Sequence, residues 1–258
     1  MSQILRRLAV VIPLVAGATV SVLPWAGAMA DRPHHESRPL LRSLAPKPDF
    51  LIPCVLVGAN SHACVTESVA AIDNGRRAEG LSKRLVLPHN FVTLTPAEQA
   101  FVVVNLERVD RGLRPFAGMV ARLNRAARAA AMVQVDPNPA RSLLLGLGVH
   151  MFKTIWADDY GVLGSTYEWM YDDGYAGWRT TNVGCRYRGA PDCWAHRAGI
   201  LTSFTGLPVL LAGFGSERVE AGARSVAAVL TGGHGRRPHF TYSWREALRH
   251  GADGHRSR

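Results

Sequence analysis

The chain contains no Gly-x-Ser-x-Gly pentapeptide, so it lacks the strand-turn-helix serine of the α/β-hydrolases. The single serines of "LGSTY" and "FGSER", Ser165 and Ser216, are of the kind found in turns and caps. There is no phosphate loop: "GLGVH" and "GGHGRR" carry too few correctly spaced glycines, which sets nucleotide binding aside. Acidic residues are outnumbered, 20 against 30 Lys and Arg. That excess draws a protein toward anionic polymers or lipid headgroups and says nothing of fold. Cysteine is sparse, with four residues in two close pairs. Neither pair, even with His196 nearby, has the spacing of a common zinc site.

The first thirty residues hold Arg6 and Arg7, an apolar run from Leu8, and a closing Ala28-Met29-Ala30, the pattern of a cleavable signal peptide over residues 1–30. An uncleaved N-terminal membrane anchor is the alternative, since the run is long enough to span a bilayer. Without this segment the chain keeps a formal charge of +8. Export implies an oxidising compartment, where an even cysteine count reads as disulfides; sequence proximity selects Cys54–Cys64 and Cys185–Cys193 among three connectivities. The expected location is extracellular or attached to the cell wall.

Residues 31–50, with four prolines and no helical or strand period, read as a linker or extended arm. Residues 249–258 read as a basic tail. Between them the pattern predicts helices first. "ACVTESVAAIDNGRRAEGL" has Val65, Val69 and Ile72 at helical spacing and stops at Gly80. "LTPAEQAFVVVNLERVDRGL" offers Thr95 as N-cap, Pro96 at the first position and Glu98 to complete a capping box. In that helix Val102, Leu106, Val109 and Leu113 form the stripe, with Glu107, Arg108, Asp110 and Arg111 off it. "FAGMVARLNRAARAAAMVQV" is a third helix with a small-residue face, ended by "DPNP".

Strands follow: Val149–Trp156, then "LPVLLAGFGS" and "RSVAAVLTGG". "STYEWMYDDGY" predicts a short helix capped by Ser165, and "TYSWREALRHG" another begun at Thr241 or Ser243. Helices early and antiparallel strands late, around one core over 51–248, describe a single α+β layered domain.

Three motifs in order resemble the CAP superfamily (cysteine-rich secretory proteins, antigen 5 and pathogenesis-related 1; the SCP domain), in a divergent bacterial form. They are "NLERVDRGLRPF" with Asn105 and Arg108, "EWMYDDG" with Trp169 three residues before Asp172, and "CWAHRAGIL" with His196. The resemblance implies an α-β-α sandwich with a cleft in which two histidines and two acids converge, in some branches around a divalent metal. His196 matches the second histidine and Asp172 one acid. The first histidine is missing from "AMVQVDPNP" and the other acid from "TIWADDYG", where His150 and Asp158 are the nearest substitutes. No cofactor is therefore expected, and a metal only as the lesser alternative.

Aromatic residues from Trp156 to Trp194 interleave with Arg179, Arg186, Arg188 and Arg197, a mix that suits sugar rings and anionic groups. The ligand set read from the sequence is His196, Asp172, Asp173, Trp178, Trp194 and Arg197. The expected function is binding of an envelope lipid, glycolipid or glycan, with peripheral contact to membrane or wall; nucleic acid is not an expected partner. The alternatives are a hydrolase with His196 as base and Asp172 orienting it, and an interaction protein without a small ligand.

Overall fold

The computed structural model describes residues 40, 42–176, 184–219 and 223–252, all within one unit, Pro33–Arg258. The element order is α1 Leu51–Val57, α2 His62–Ala78, α3 Pro96–Val109, β1 Gly118–Met119, α4 Ala121–Val133, α5 Arg141–Gly146, β2 Val149–Asp159, α6 Val162–Tyr171, α7 Ala195–Ile200, β3 Val209–Arg218, β4 Arg224–Gly233, β5 Tyr242–Ser243 and α8 Trp244–Arg249. The fold is α+β, with helices early and a five-stranded sheet late, ordered β2-β4-β3-β1-β5. Both disulfides are formed, Cys54–Cys64 and Cys185–Cys193, consistent with an oxidising, extracellular environment. Among the described residues no helix is long and apolar enough to cross a membrane; the proposed signal peptide lies outside them.

Strand alternation sorts the core into two layers. Leu210, Ala212 and Phe214 of β3, with Val226, Ala228 and Leu230 of β4, face the main core containing Phe101 and Trp169. The intervening Leu211 and Val229 face Leu123 and Ala127 of α4, the period-2 alternation of a strand covered on both sides. Gly213 and Gly215 allow α4 to lie directly on β3: a Cβ on Gly215 would stand 2.1 Å from the Arg128 backbone nitrogen.

Several expectations are corrected. The strands are not all antiparallel, because β1 pairs parallel with β3. Gly118 and Met119 form that strand instead of opening the third helix. The helix α6 starts three residues before the expected cap: Gly161 is its N-cap and Ser165 lies buried within it. The polar residues that lie off the apolar stripe of α3 are buried as well. Glu107 and Arg108 are fully buried and Arg111 is 4% exposed, because α3 packs against the sheet and against α6 and α7, and Arg76 of α2 reaches Glu107. The capping box of Thr95 with Glu98 on α3 was legible, and α8 begins from Ser243, one of the two expected caps, in a box with Glu246.

Residues 43–50, which composition assigns to a linker, are docked on the end of α6. Ser43 and Leu44 donate backbone N–H groups to Tyr175 and Tyr171 carbonyls at 3.1 and 2.7 Å, and Phe50 is buried in the core.

Candidate functional site

A cavity of about 120 Å³ opens at the sheet edge, where the end of β2 meets α6 and α7. The edge strand β2 contributes Trp156, Ala157 and Asp158; α6 contributes Glu168 and Trp169; Asp173 and His196 complete it. The cavity is smaller than the roughly 300 Å³ at which drug-sized ligand pockets begin. It suits one polar group of a larger ligand.

His196 is held at both ring nitrogens. Nδ1 lies 3.0 Å from Asp173 Oδ1, and Nε2 lies 3.6 Å from Asp136 Oδ1 on the loop after α4. The other oxygen of Asp173 accepts the backbone N–H groups of His196 and Arg197 at 2.9 and 3.2 Å. One carboxylate thus caps the start of α7 and orients the imidazole.

Burial opposes a charge on His196, but the neighbouring carboxylates of Asp136 and Asp173, the latter hydrogen-bonded to the ring, outweigh that and push its pKa up to about 9. Burial likewise pushes the Asp173 carboxyl up, against hydrogen bonds from His196 and the two amides. A histidine raised above its unfolded value near 6.5 stabilises the fold in full below that pH, and the contribution is lost as pH rises through about 9. A ring so shifted favours the imidazolium at neutral pH, a hydrogen-bond donor at both nitrogens.

The sequence-derived residues divide. Asp173 and Asp158 line the cavity with His196. Asp172 does not pair with His196. It is the C-cap of α6, buried at 1% exposure; the helix ends at Tyr171, so the three-residue step from Trp169 no longer follows helical geometry. Arg197 is turned inward, bonded to Glu79 and, at 2.6 Å, to the Met170 carbonyl. The Trp194 ring covers Gly174 and lies 5.9 Å from the Arg197 guanidinium. His150 meets His234 edge to face, ring centroids 4.9 Å apart, at the opposite end of β2 from Asp158. Trp178 lies outside the described residues.

Three site residues escaped the sequence reading. Asp136 is sixty positions from His196, so no local pattern joins them. Glu168 carried a usable signal, an acid within a wholly buried helix, where charge persists only when paired or functional. Trp169 is fully buried, and its indole N–H has no acceptor among the described residues; buried indole groups usually have one.

Behind the cavity stands a buried ionic network that positions it. Arg76 reaches Glu107 at 3.0 Å and Asp110 at 2.7 Å; Arg111 pairs with Glu107 and Glu79, and Glu79 also holds Arg197. The Tyr171 hydroxyl donates to Glu107 at 3.1 Å. Arg197 follows His196 directly and Tyr171 is two residues before Asp173, so the network fixes both ends of the dyad. The resemblance residues Asn105 and Arg108 are also structural. Asn105 exchanges two hydrogen bonds with the Phe116 backbone, at 2.8 and 3.1 Å. Arg108 lies 4.4 Å from the Phe116 ring centroid and donates to the Thr202 carbonyl at 2.9 Å; burial and the nearby Arg114 push its pKa down to about 9.

Neither a family profile nor any curated protein matches the chain. Among the described residues no three His, Cys, Asp or Glu side chains converge as metal ligands, so the cleft does not fit the divalent metal that the CAP resemblance allows.

Proposed function

We propose that this is a secreted, CAP-like protein of the bacterial cell envelope, and that its cavity holds a hydroxyl-bearing group of an envelope glycan or glycolipid without turning it over. The observation that carries the reading is the engagement of both His196 nitrogens by carboxylates. A general base needs a free lone pair near the working pH; a ring with a carboxylate at each nitrogen and a pKa raised to about 9 favours the charged, donating form.

Among the described residues the cavity lining contains no serine, threonine, cysteine or lysine to act as nucleophile. What it offers instead is acceptors, Asp158 and Glu168, a donor in His196, and the half-buried indole of Trp156, fixed by a 2.7 Å hydrogen bond to Ser225. Carboxylates beside an aromatic face suit a sugar ring, which presents hydroxyl donors at its rim and C–H groups on its faces. Asp136 stands in the segment where the CAP pattern expects its first histidine, which fits a cleft retained for contact after losing its paired imidazoles.

The hydrolase reading keeps one supporting observation, that Glu168 and Asp158 line the same cavity; glycoside hydrolysis is the reaction two carboxylates would serve. Titrating soluble cell-wall oligosaccharides while following tryptophan fluorescence separates the two. Saturable binding without released sugar is expected, weakened about ten- to a hundred-fold in Trp156→Ala, as for a side chain worth roughly 1.5–3 kcal/mol. Absence of saturable binding, or sugar release that stops in His196→Gln, contradicts the proposal.

A further inference from the structure

The arm before α1 reaches the site from outside the elements that line it. Several anchors hold it. The Leu44 carbonyl accepts the Tyr167 hydroxyl at 3.1 Å, Pro46 is buried, and the Asn74 side chain of α2 donates to the Lys47 carbonyl. Phe50 meets the Tyr167 ring edge to face, with centroids 5.6 Å apart. Ser43 stands between these anchors and Leu40, which packs on the main core.

The Ser43 hydroxyl clasps Gly174 at both of its backbone polar groups. It donates to the Gly174 carbonyl at 2.7 Å and accepts the Gly174 N–H at 2.9 Å, while the Ser43 N–H donates to the Tyr175 carbonyl at 3.1 Å. A hydroxyl is both donor and acceptor, so a single side chain 131 positions away serves both groups. The other side of Gly174 is closed by Trp194. A Cβ on Gly174 would stand 2.1 Å from Trp194 Cζ2, so the indole lies directly on the backbone there.

Trp194 itself has a φ of 67°, a left-handed conformation that a bulky side chain adopts only where its surroundings impose it. It is the N-cap of α7 and donates its N–H to the Asp173 carbonyl at 3.0 Å. Asp173 in turn holds the His196 and Arg197 amides and the His196 ring. From Ser43 the path runs through Gly174 and Asp173 to His196, each step a covalent or a hydrogen bond.

We propose that Ser43 is a positioning residue of the site: its hydroxyl fixes Gly174, and through it the Asp173 carboxylate against His196. The segment that composition assigns to a linker is thereby a working part of the cavity. The ring's other carboxylate neighbours stand on other elements, Asp136 on the loop after α4, Asp158 on β2 and Glu168 on α6, so loosening Gly174 acts first on the Asp173 contact. The inference concerns the geometry of the histidine and its acid, and it does not depend on what the cavity holds.

A ¹H–¹⁵N titration of the His196 ring in the full chain tests it. Ser43→Ala is expected to lower the midpoint by about one pH unit relative to wild type, whatever value the wild type takes, the low end of the shift that a close opposite charge produces. Ser43→Thr, which keeps the hydroxyl, is expected to hold the wild-type midpoint. Val229→Ala, in the layer under α4, lowers stability without touching the clasp and is expected to leave the midpoint in place. Thermal unfolding verifies that each variant is folded. An unmoved midpoint in folded Ser43→Ala, or an equal shift in Val229→Ala, overturns the proposal.

Discussion

Glu107→Ala is expected to destabilise the protein by about 3–5 kcal/mol, the cost of leaving buried charge without its partner. Glu107 is fully buried and receives Arg76, Arg111 and the Tyr171 hydroxyl. Burial alone would raise its pKa, but Arg76 and Arg111 dominate and hold it at about 2. Removing this carboxylate leaves Arg76 with Asp110 and Arg111 with Glu79, two guanidinium groups sharing a dry interior with half their former compensation. At roughly 2–4 °C per kcal/mol for a domain of this size, the thermal midpoint falls by about 6–20 °C. The sign with pH follows. A carboxyl depressed below its unfolded value near 4.5 contributes stability above that pH and loses it as pH falls toward 2. The check is thermal unfolding followed by circular dichroism. Arg111→Met combined with Glu107→Ala should cost less than the two changes added, because each alone orphans the other's partner.

Gly215→Ala is expected to cost at least about 3 kcal/mol, at the upper end for an overpacked core. The added methyl group would meet Arg128 N at 2.1 Å, Arg128 Cα at 2.3 Å and the Ala127 carbonyl carbon at 2.5 Å. These are backbone atoms of α4, so no rotamer change relieves the contact. The helix must lift from the sheet, separating Leu123 and Ala127 from Leu211 and Val229. Gly146→Ala is the control: it lies in helix α5 with nothing within 4 Å of the added carbon. It should be neutral or stabilising by up to roughly 1 kcal/mol. Urea unfolding of the two variants measures the difference.

These two residues mark where sequence reading ended. Elements signalled by their own residues were legible, such as α3 from Thr95, Pro96 and Glu98, and the β3 and β4 strands from their apolar runs. The disulfides were legible because each pair is close in sequence. Glu107 and Arg111 were placed only off the apolar stripe, because a single helix cannot reveal a second layer packed against its polar side. Gly215 looked like any strand glycine until α4 was placed over it. The short β1 was hidden because its partner β3 lies some ninety residues away. At the site, His196 was found from its motif, and Asp173 was named beside it. The pairing with Asp136 depends on how the end of α4 is carried to α7, which no spacing in the chain encodes. Asp172 drew attention by motif spacing, while the helix end at Tyr171 decides which acid reaches the ring.

The central claim is that His196 is a charged, doubly held contact residue and not a base. The most direct measurement is a ¹H–¹⁵N NMR titration of the His196 ring in the full chain, comparing wild type with Asp136→Asn. The account predicts both nitrogens protonated at neutral pH and a midpoint near pH 9, lowered when Asp136 loses its charge. A neutral ring at pH 7, with a midpoint at or below 6.5 and no response to Asp136→Asn, would contradict it and return the cleft to the hydrolase reading.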